Sequence, residues 1–298
     1  MAEISTQTSS LPSVAILGLG TMGTGMAHRL LERKGVVTVY ARKPEKRKEF
    51  EEAGASTADS PSKAVAGAEI IISMVSDDAA SREIWLGSNG ALGAIKPGAV
   101  SIECSTISPA WAEELGQKFA DKHLPFLDAP VTGSKPQAAG GELTFLVGGQ
   151  EDALKRVEPV LKILGRKIAH LGPVGSGARM KLINNMLCAV QAAGLAEAVA
   201  LAEKSGLAID SVLDILTNGA PGSPMVKTLS KRMVDRNYEV NFYLHLMAKD
   251  VDYAIRLSER YGASHKAADA ALNLLNDAKQ KGLSDKDFSS LIEPLRIQ

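Results

Sequence analysis

The sequence predicts an α/β protein in which a doubly wound, mostly parallel sheet precedes a second, all-α domain. Three observations carry this. Short apolar or β-branched runs alternate with helical periodicity through the first half of the chain. A cluster of glycines directly follows the first of those runs. From Gly172 onward the strand-like runs stop and helical periodicity continues alone. A chain of 298 residues is long enough for two domains. The expected division is a flexible tail over 1–13, a sheet domain over 14–175 and a helical domain over 176–298.

Composition narrows the function classes. Apolar residues make up 45% of the chain and the formal net charge is zero, so neither nucleic acid nor an acidic membrane surface is an expected partner. No apolar run in the sequence reaches the roughly 18 to 20 residues that span a bilayer, and no membrane partner is expected. Cys104 and Cys188 lie far apart, which suits free thiols in a reducing cytoplasm. The first thirteen residues contain no Arg or Lys and no apolar segment, unlike a secretory or transit leader.

Val14-Ala15-Ile16-Leu17 reads as a buried strand, and Gly18-Leu19-Gly20-Thr21-Met22-Gly23 follows at G-x-G-x-x-G spacing before a helix to about Arg33. This is the context in which a Rossmann-type domain binds a dinucleotide. Gly18 permits the tight turn, Gly20 lets a pyrophosphate approach, and Gly23 allows close packing. The helix N-terminus supplies N–H donors and a positive dipole end.

Residues 36–40 form the second strand, whose end bears on the cofactor. An NAD site usually places Asp or Glu there, about 20 residues past the glycines. Here Ala41 is followed by Arg42 and Lys43. Two cations and no carboxylate suit a 2′-phosphate, so NADP is favoured over NAD. The plainer reading makes Arg42, Lys43, Lys46 and Arg47 a solvated basic face, and of the last two Lys46 is the expected helper. Further strands are expected over 69–76, 99–106, 125–131, 144–147 and 167–171. A helix is expected over 152–164, and another starts at Pro109 with Ser108 as its cap. Ligands in such sheets lie beyond the carboxyl ends of strands, which places Val75, Ser76 and Thr106 near the cofactor.

Gly172, Gly175 and Gly177 suggest a flexible hinge. A long helix over 178–204 should be buried on more than one side. Later helices are expected over 209–217, 225–233, 243–261, 266–281 and 287–295, with Gly206, Gly262 and Gly282 as stops.

Lys181, Asn184 and Asn185 interrupt the apolar start of the long helix, and Lys181 and Asn185 share a face. A desolvated lysine there can exchange a proton near neutral pH. Equally, it can bond a backbone carbonyl while Asn185 satisfies the hinge. Asp128-Ala129-Pro130-Val131-Thr132-Gly133-Ser134 closes a strand with hydroxyls and an exposed glycine N–H that suit a small carboxylate. The alternative is an ordinary turn capped by Asp128. No His–Cys spacing suggests a metal, and His245 reads as a hydrogen-bonded or surface histidine.

In combination these motifs resemble the β-hydroxyacid dehydrogenase family, which includes 3-hydroxyisobutyrate dehydrogenases and glyoxylate and succinic semialdehyde reductases. The resemblance runs through the cofactor motif at Gly18–Gly23 with Met26, the Asp128–Ser134 motif, Gly172-Pro173-Val174-Gly175-Ser176-Gly177 with Lys181 and Asn185, and Lys249-Asp250. It implies hydride transfer between NADP(H) and a small hydroxy or aldehyde acid. Lys181 would be catalytic, with Asn185 bonding substrate or orienting the lysine. Thr132 and Gly133 would hold the substrate carboxylate, and Lys249 would reach over the cofactor. Val75, Ser76 and Thr106 would touch the cofactor. A homodimer or homotetramer is implied. Two departures stand out: Thr132 replaces a frequent serine, and Ser134 a frequent glycine, which is expected to narrow the pocket. Arg42 keeps the register of the NADP-using reductases, within Ala41-Arg42-Lys43 where they commonly read Asn-Arg-Thr. Imine reductases of the same architecture usually replace the lysine. A non-enzymatic NADP-binding protein would lose Lys181 or the substrate turn.

Overall fold

The computed structural model describes residues 11–296. The chain divides into two compact units, the first ending at Ala178 and the second beginning at Arg179. The division therefore falls inside a helix, three residues past the expected position.

In the first unit the elements are β1 (Val14–Leu17), α1 (Thr21–Glu32), β2 (Val37–Tyr40), α2 (Pro44–Glu52), β3 (Ser56–Ala58), α3 (Pro61–Val65), β4 (Ile70–Ser73), α4 (Asp78–Leu86), β5 (Val100–Glu103), α5 (Pro109–Ala120), β6 (Phe126–Asp128), β7 (Val131–Thr132), α6 (Lys135–Gly140), β8 (Leu143–Gly149), α7 (Glu151–Leu164) and β9 (Gly165–Gly172). The strands order as β3-β2-β1-β4-β5-β6-β8-β7, with β9 also pairing with β8. From β3 to β6 every pair is parallel. This is the 3-2-1-4-5-6 order of dinucleotide-binding sheets, with its switch point between β1 and β4. β8 runs antiparallel to β6 and β7 and pairs parallel with β9, so β8 and β9 run against the other strands.

Alternation along each strand feeds two cores, because successive side chains point to opposite faces. Val14 and Ile16 join Met26, Leu30, Val157 and Leu161 on one face. Ala15 and Leu17 join Trp85, Trp111, Leu115 and Phe119 on the other. Burial on both faces is what a parallel sheet covered by crossover helices requires.

Several expectations need correcting. The anticipated strand over 125–131 is two strands, because Pro130 cannot donate to a ladder and the chain turns there. Val75, Ser76 and Thr106 lie in loops beyond β4 and β5, not in the strands. Residues 1–10 of the expected tail lie outside the described residues. Ser13 is fixed: its N–H and hydroxyl donate to Glu69 Oε2 at 2.8 and 3.1 Å, and its carbonyl accepts from Ile70 N.

The second unit is helical. It continues α8 (Ser176–Lys204) and adds α9 (Ile209–Asn218), α10 (Pro224–Val234), α11 (Leu244–Arg260) and α12 (Lys266–Gln280). A 3₁₀ turn (Phe288–Ile292) then runs into α13 (Glu293–Arg296). Its core gathers Ala196, Val199, Leu229, Met233, Leu244, Met247, Val251, Leu275 and Leu291. Two features of α8 stand out. By length and composition it is apolar enough to cross a membrane, although half of the relevant window is buried inside the protein, as in a core helix. It is also not covered all round: Ile183, Leu187 and Leu201 are 49%, 59% and 69% exposed.

Candidate active site

The β1–α1 turn is shaped by its glycines. Gly18 has φ +109°, and a Cβ there would strike the Met74 carbonyl. At Gly23 a Cβ would strike the carbonyl of Gly18, so this residue packs the helix onto the turn itself. Gly20 is different: a Cβ there meets nothing within 4 Å. Gly20 is also the N-cap of α1 and supplies no side-chain cap. The first-turn N–H groups, over Thr21, Met22 and Gly23, are thus left for another partner beside open space. That arrangement fits a pyrophosphate. Leu19 between the glycines is buried in the core.

At the end of β2, Arg42 and Lys43 are both exposed. The expected helper, Lys46, is turned to Glu49 at 2.8 Å. Arg47 takes up the loop instead, donating from Nη1 to the Ala41 carbonyl at 2.7 Å. Ser76 is exposed in its loop, and its hydroxyl donates to Asp77 Oδ2 at 2.8 Å. The Val75 N–H donates to Ser105 Oγ at 2.7 Å. Thr106 is half-buried in the loop after β5.

Thr132, half-buried in β7, pairs with Thr144. Gly133 follows at φ +117°, a left-handed conformation that few other residues adopt. Ser134 is otherwise engaged than expected. Its N–H and hydroxyl both donate to Gln137 Oε1, at 2.9 and 2.8 Å, fixing the start of α6. Its hydroxyl thus takes part in the capping box at the start of α6. Asp128 does not cap its own turn. Its carboxylate is fully buried and accepts from Gly175 N and Ala178 N, each at 2.8 Å. It anchors the beginning of α8, some fifty residues away. A Cβ on Gly177 would collide with the Leu146 carbonyl. Within the segment expected to act as a hinge, Gly175 N is held by Asp128 and Gly177 serves close approach.

In the second unit one buried carboxylate organises the polar face of α8. Asp250 is 1% exposed. Its Oδ2 accepts from Asn185 Nδ2 at 2.6 Å, and its Oδ1 lies 3.0 Å from Lys249 Nζ. Asn185 also accepts from Asn184 Nδ2 at 3.0 Å. At 3% exposure, Asn185 bonds Asp250 through Nδ2 and Asn184 through Oδ1 and so orients the buried carboxylate. Lys249 additionally lies 5.1 Å over the Tyr253 ring. Lys181 is half-buried. Desolvation lowers its pKa from the ordinary lysine value; Asp250 acts against this, and Lys249 adds to it. An ammonium so placed is a more willing proton donor than a surface lysine. His245 Nδ1 bonds the Ser284 carbonyl at 2.8 Å and plays no part in this cluster.

A family model for the NAD binding domain of 6-phosphogluconate dehydrogenase matches residues 13–172. A second, for the NAD-binding of NADP-dependent 3-hydroxyisobutyrate dehydrogenase, matches residues 175–295. The chain belongs to the β-hydroxyacid dehydrogenase family. It is 35% identical to glyoxylate/succinic semialdehyde reductase 1 of Arabidopsis thaliana, covering 95% of this chain and 98% of the relative. It is 34% identical to the NAD-dependent L-serine dehydrogenase of Pseudomonas aeruginosa, covering 97% and 100%. Among solved structures, a Mycobacterium tuberculosis 3-hydroxyisobutyrate dehydrogenase with L-serine matches at TM-score 0.87 and 32% identity, covering 96% of this chain and 99% of that one. This β-hydroxyacid dehydrogenase homologue is thus an oxidoreductase with a nicotinamide-cofactor domain.

The sequence did not mark Asp250 as a site residue, although it adjoins Lys249. The available signal was a carboxylate in the interior of a helix at an apolar-spaced position, since Asp is seldom fully buried unless paired. Arg47 and Gln137 carried no signal of that kind.

Proposed function

We propose that the chain catalyses reversible hydride transfer between NADP(H) and the aldehyde or keto carbon of a small carboxylic acid. The substrate class is that of glyoxylate, succinic semialdehyde and 3-hydroxyisobutyrate. The observation that carries the reading is Lys181, a partly desolvated lysine with lowered pKa that feels the charge of the buried Asp250. When bound, the nicotinamide supplies or accepts the hydride. Lys181 polarises the carbonyl and protonates the developing alkoxide; in oxidation it takes the proton back. Asp250 keeps the cationic form accessible, and Asn185 holds Asp250. Thr132 and the Gly133 N–H bind the substrate carboxylate. Gly18, Leu19, Gly20, Thr21, Met22 and Gly23 form the pyrophosphate turn, while Val75, Ser76, Thr106 and Lys249 contact the remainder of the cofactor.

NADP is preferred over NAD because the end of β2 offers Arg42 and Lys43 and no carboxylate. The bare apolar stripe of α8, with Ile183, Leu187 and Leu201, supports a homodimer or homotetramer. The free thiols Cys104 and Cys188 support a cytoplasmic setting. Neither nucleic acid nor membrane is part of the proposal.

The test is Lys181→Ala. The variant is expected to bind NADPH as wild type does while losing about 10² to 10⁴ in kcat. Full activity in that variant removes Lys181 from the chemistry.

A further inference from the structure

The loops after β4 and β5 are tied together by a buried network that no cofactor contact explains. Its centre is Glu103, the last residue of β5, paired in register with Ser73 of β4. Glu103 is fully buried. Oε1 accepts from Ser105 N at 2.9 Å. Oε2 accepts from Ser81 Oγ at 2.6 Å and from Trp85 Nε1 at 2.8 Å, both on α4. Ser81 Oγ in turn accepts from Trp111 Nε1 of α5 at 2.9 Å. Ser105 Oγ accepts from the N–H of Val75, in the β4 loop, at 2.7 Å. Farther out, Asp78 accepts from Ser108 N at 2.7 Å and Ser108 Oγ at 2.5 Å, tying the starts of α4 and α5.

An isolated carboxylate in an apolar core is strongly unfavourable. Burial raises the Glu103 pKa above the ordinary carboxylate value, and the donors that converge on it act against that rise. An apolar residue could fill the same volume without fixing either loop. What the carboxylate adds is geometric: one side chain locks the β4 loop, the β5 loop, α4 and α5 into one register.

We infer that Glu103 is a positioning residue for the nicotinamide half of the cofactor, acting through the loops that carry Val75, Ser76 and Thr106. The inference rests on the cofactor reading above. In a 3-2-1-4-5-6 sheet the halves β1–β3 and β4–β6 each bind one mononucleotide. The glycine turn and Arg42 belong to the first half and Glu103 to the second. Disturbing Glu103 therefore affects one end of the dinucleotide selectively.

The experiment measures binding of NADPH and of 2′-phospho-ADP-ribose, which lacks the nicotinamide, to wild type and Glu103→Gln. (NADH and ADP-ribose replace them if the wild type prefers NADH.) Gln keeps the volume but turns an amide NH₂ toward one of the donors. The expected result is an NADPH affinity weakened about tenfold with fragment affinity unchanged. Where Glu103→Gln does not fold, Ser105→Ala carries the test. It removes the acceptor for the Val75 N–H together with the Ser105 side-chain bond to Glu103, and the same selective loss is expected. Parallel losses for both ligands, or none for either, overturn the inference and leave the cofactor reading standing. Wild-type protein that binds neither nicotinamide nucleotide overturns both.

Discussion

Replacing Asp128 by Asn is the most informative single change to the scaffold. The carboxylate is fully buried, and its two oxygens accept one N–H each, from Gly175 and Ala178, at 2.8 Å. Asn has the same shape but only one acceptor oxygen. Its NH₂ must face one of the two N–H groups, so one charge-assisted bond is lost in a tightly packed site. Gly148 already sits so close that a Cβ there would strike Asp128 Oδ1. Loss of one such bond is worth about 2 kcal/mol. For a unit the size of the sheet domain that corresponds to a fall in apparent Tm of about 4 to 8 °C. The assay is thermal unfolding followed by circular dichroism, with Asp152→Asn as the control. The Asp152 side chain is 95% exposed and meets Lys155 at 3.8 Å, so its change should lie within about 0.5 kcal/mol of wild type. Equal Tm values for the two variants would refute the claim that Asp128 anchors α8.

Further outcomes follow from the cofactor turn and the lysine cluster. Arg42→Ser is expected to raise the KM for NADPH about 10- to 100-fold and leave that for NADH nearly unchanged, in steady-state kinetics. Gly20→Ala and Gly23→Ala should separate: the first, with open space at its Cβ, keeps its Tm and weakens cofactor binding, whereas the second, blocked by the Gly18 carbonyl, unfolds at lower temperature. Lys181 acts in reduction as the ammonium, which is present below its pKa. Reduction should therefore decline as pH rises through a pKa lying below the ordinary lysine value, and oxidation should gain over the same range. Asp250→Asn removes the anion that raises this pKa, so the declining limb of the pH–rate profile should move to lower pH; an unmoved limb assigns the titration to another group.

What the sequence disclosed was whatever depends on local pattern. The glycine turn, the β-branched second strand, the Ser108-Pro109 helix start and the long α8 are each written in adjacent residues. β3 was missed because Ser56–Ala58 is short and polar, an edge strand with no apolar run. α6 was missed because its six residues include Pro136 and several small residues and owe their start to the Ser134–Gln137 bond. The longer-range features were not legible. Asp128 looked like a turn cap because its partners lie 47 and 50 residues away. Glu103 fell inside the strand expected over 99–106 and drew no notice, since Ser81 and Trp85 reach it from α4, 22 and 18 residues away. Asn185 shares a helix face with Lys181 by its spacing, but its bond to Asp250, 65 residues on, has no local signal. Bare apolar side chains on α8 could not be foreseen either, since periodicity shows which residues share a face but not what covers it.

An NADP-preferring hydride transfer to a small aldehyde or keto acid is tested most directly by initial rates of nicotinamide oxidation. Glyoxylate and succinic semialdehyde are each assayed with NADPH and with NADH. The expected result is turnover of at least one acid, with kcat/KM clearly higher for NADPH. Turnover that favours NADH contradicts the role given to Arg42 and Lys43, and tight NADPH binding with no turnover of either acid contradicts the substrate class.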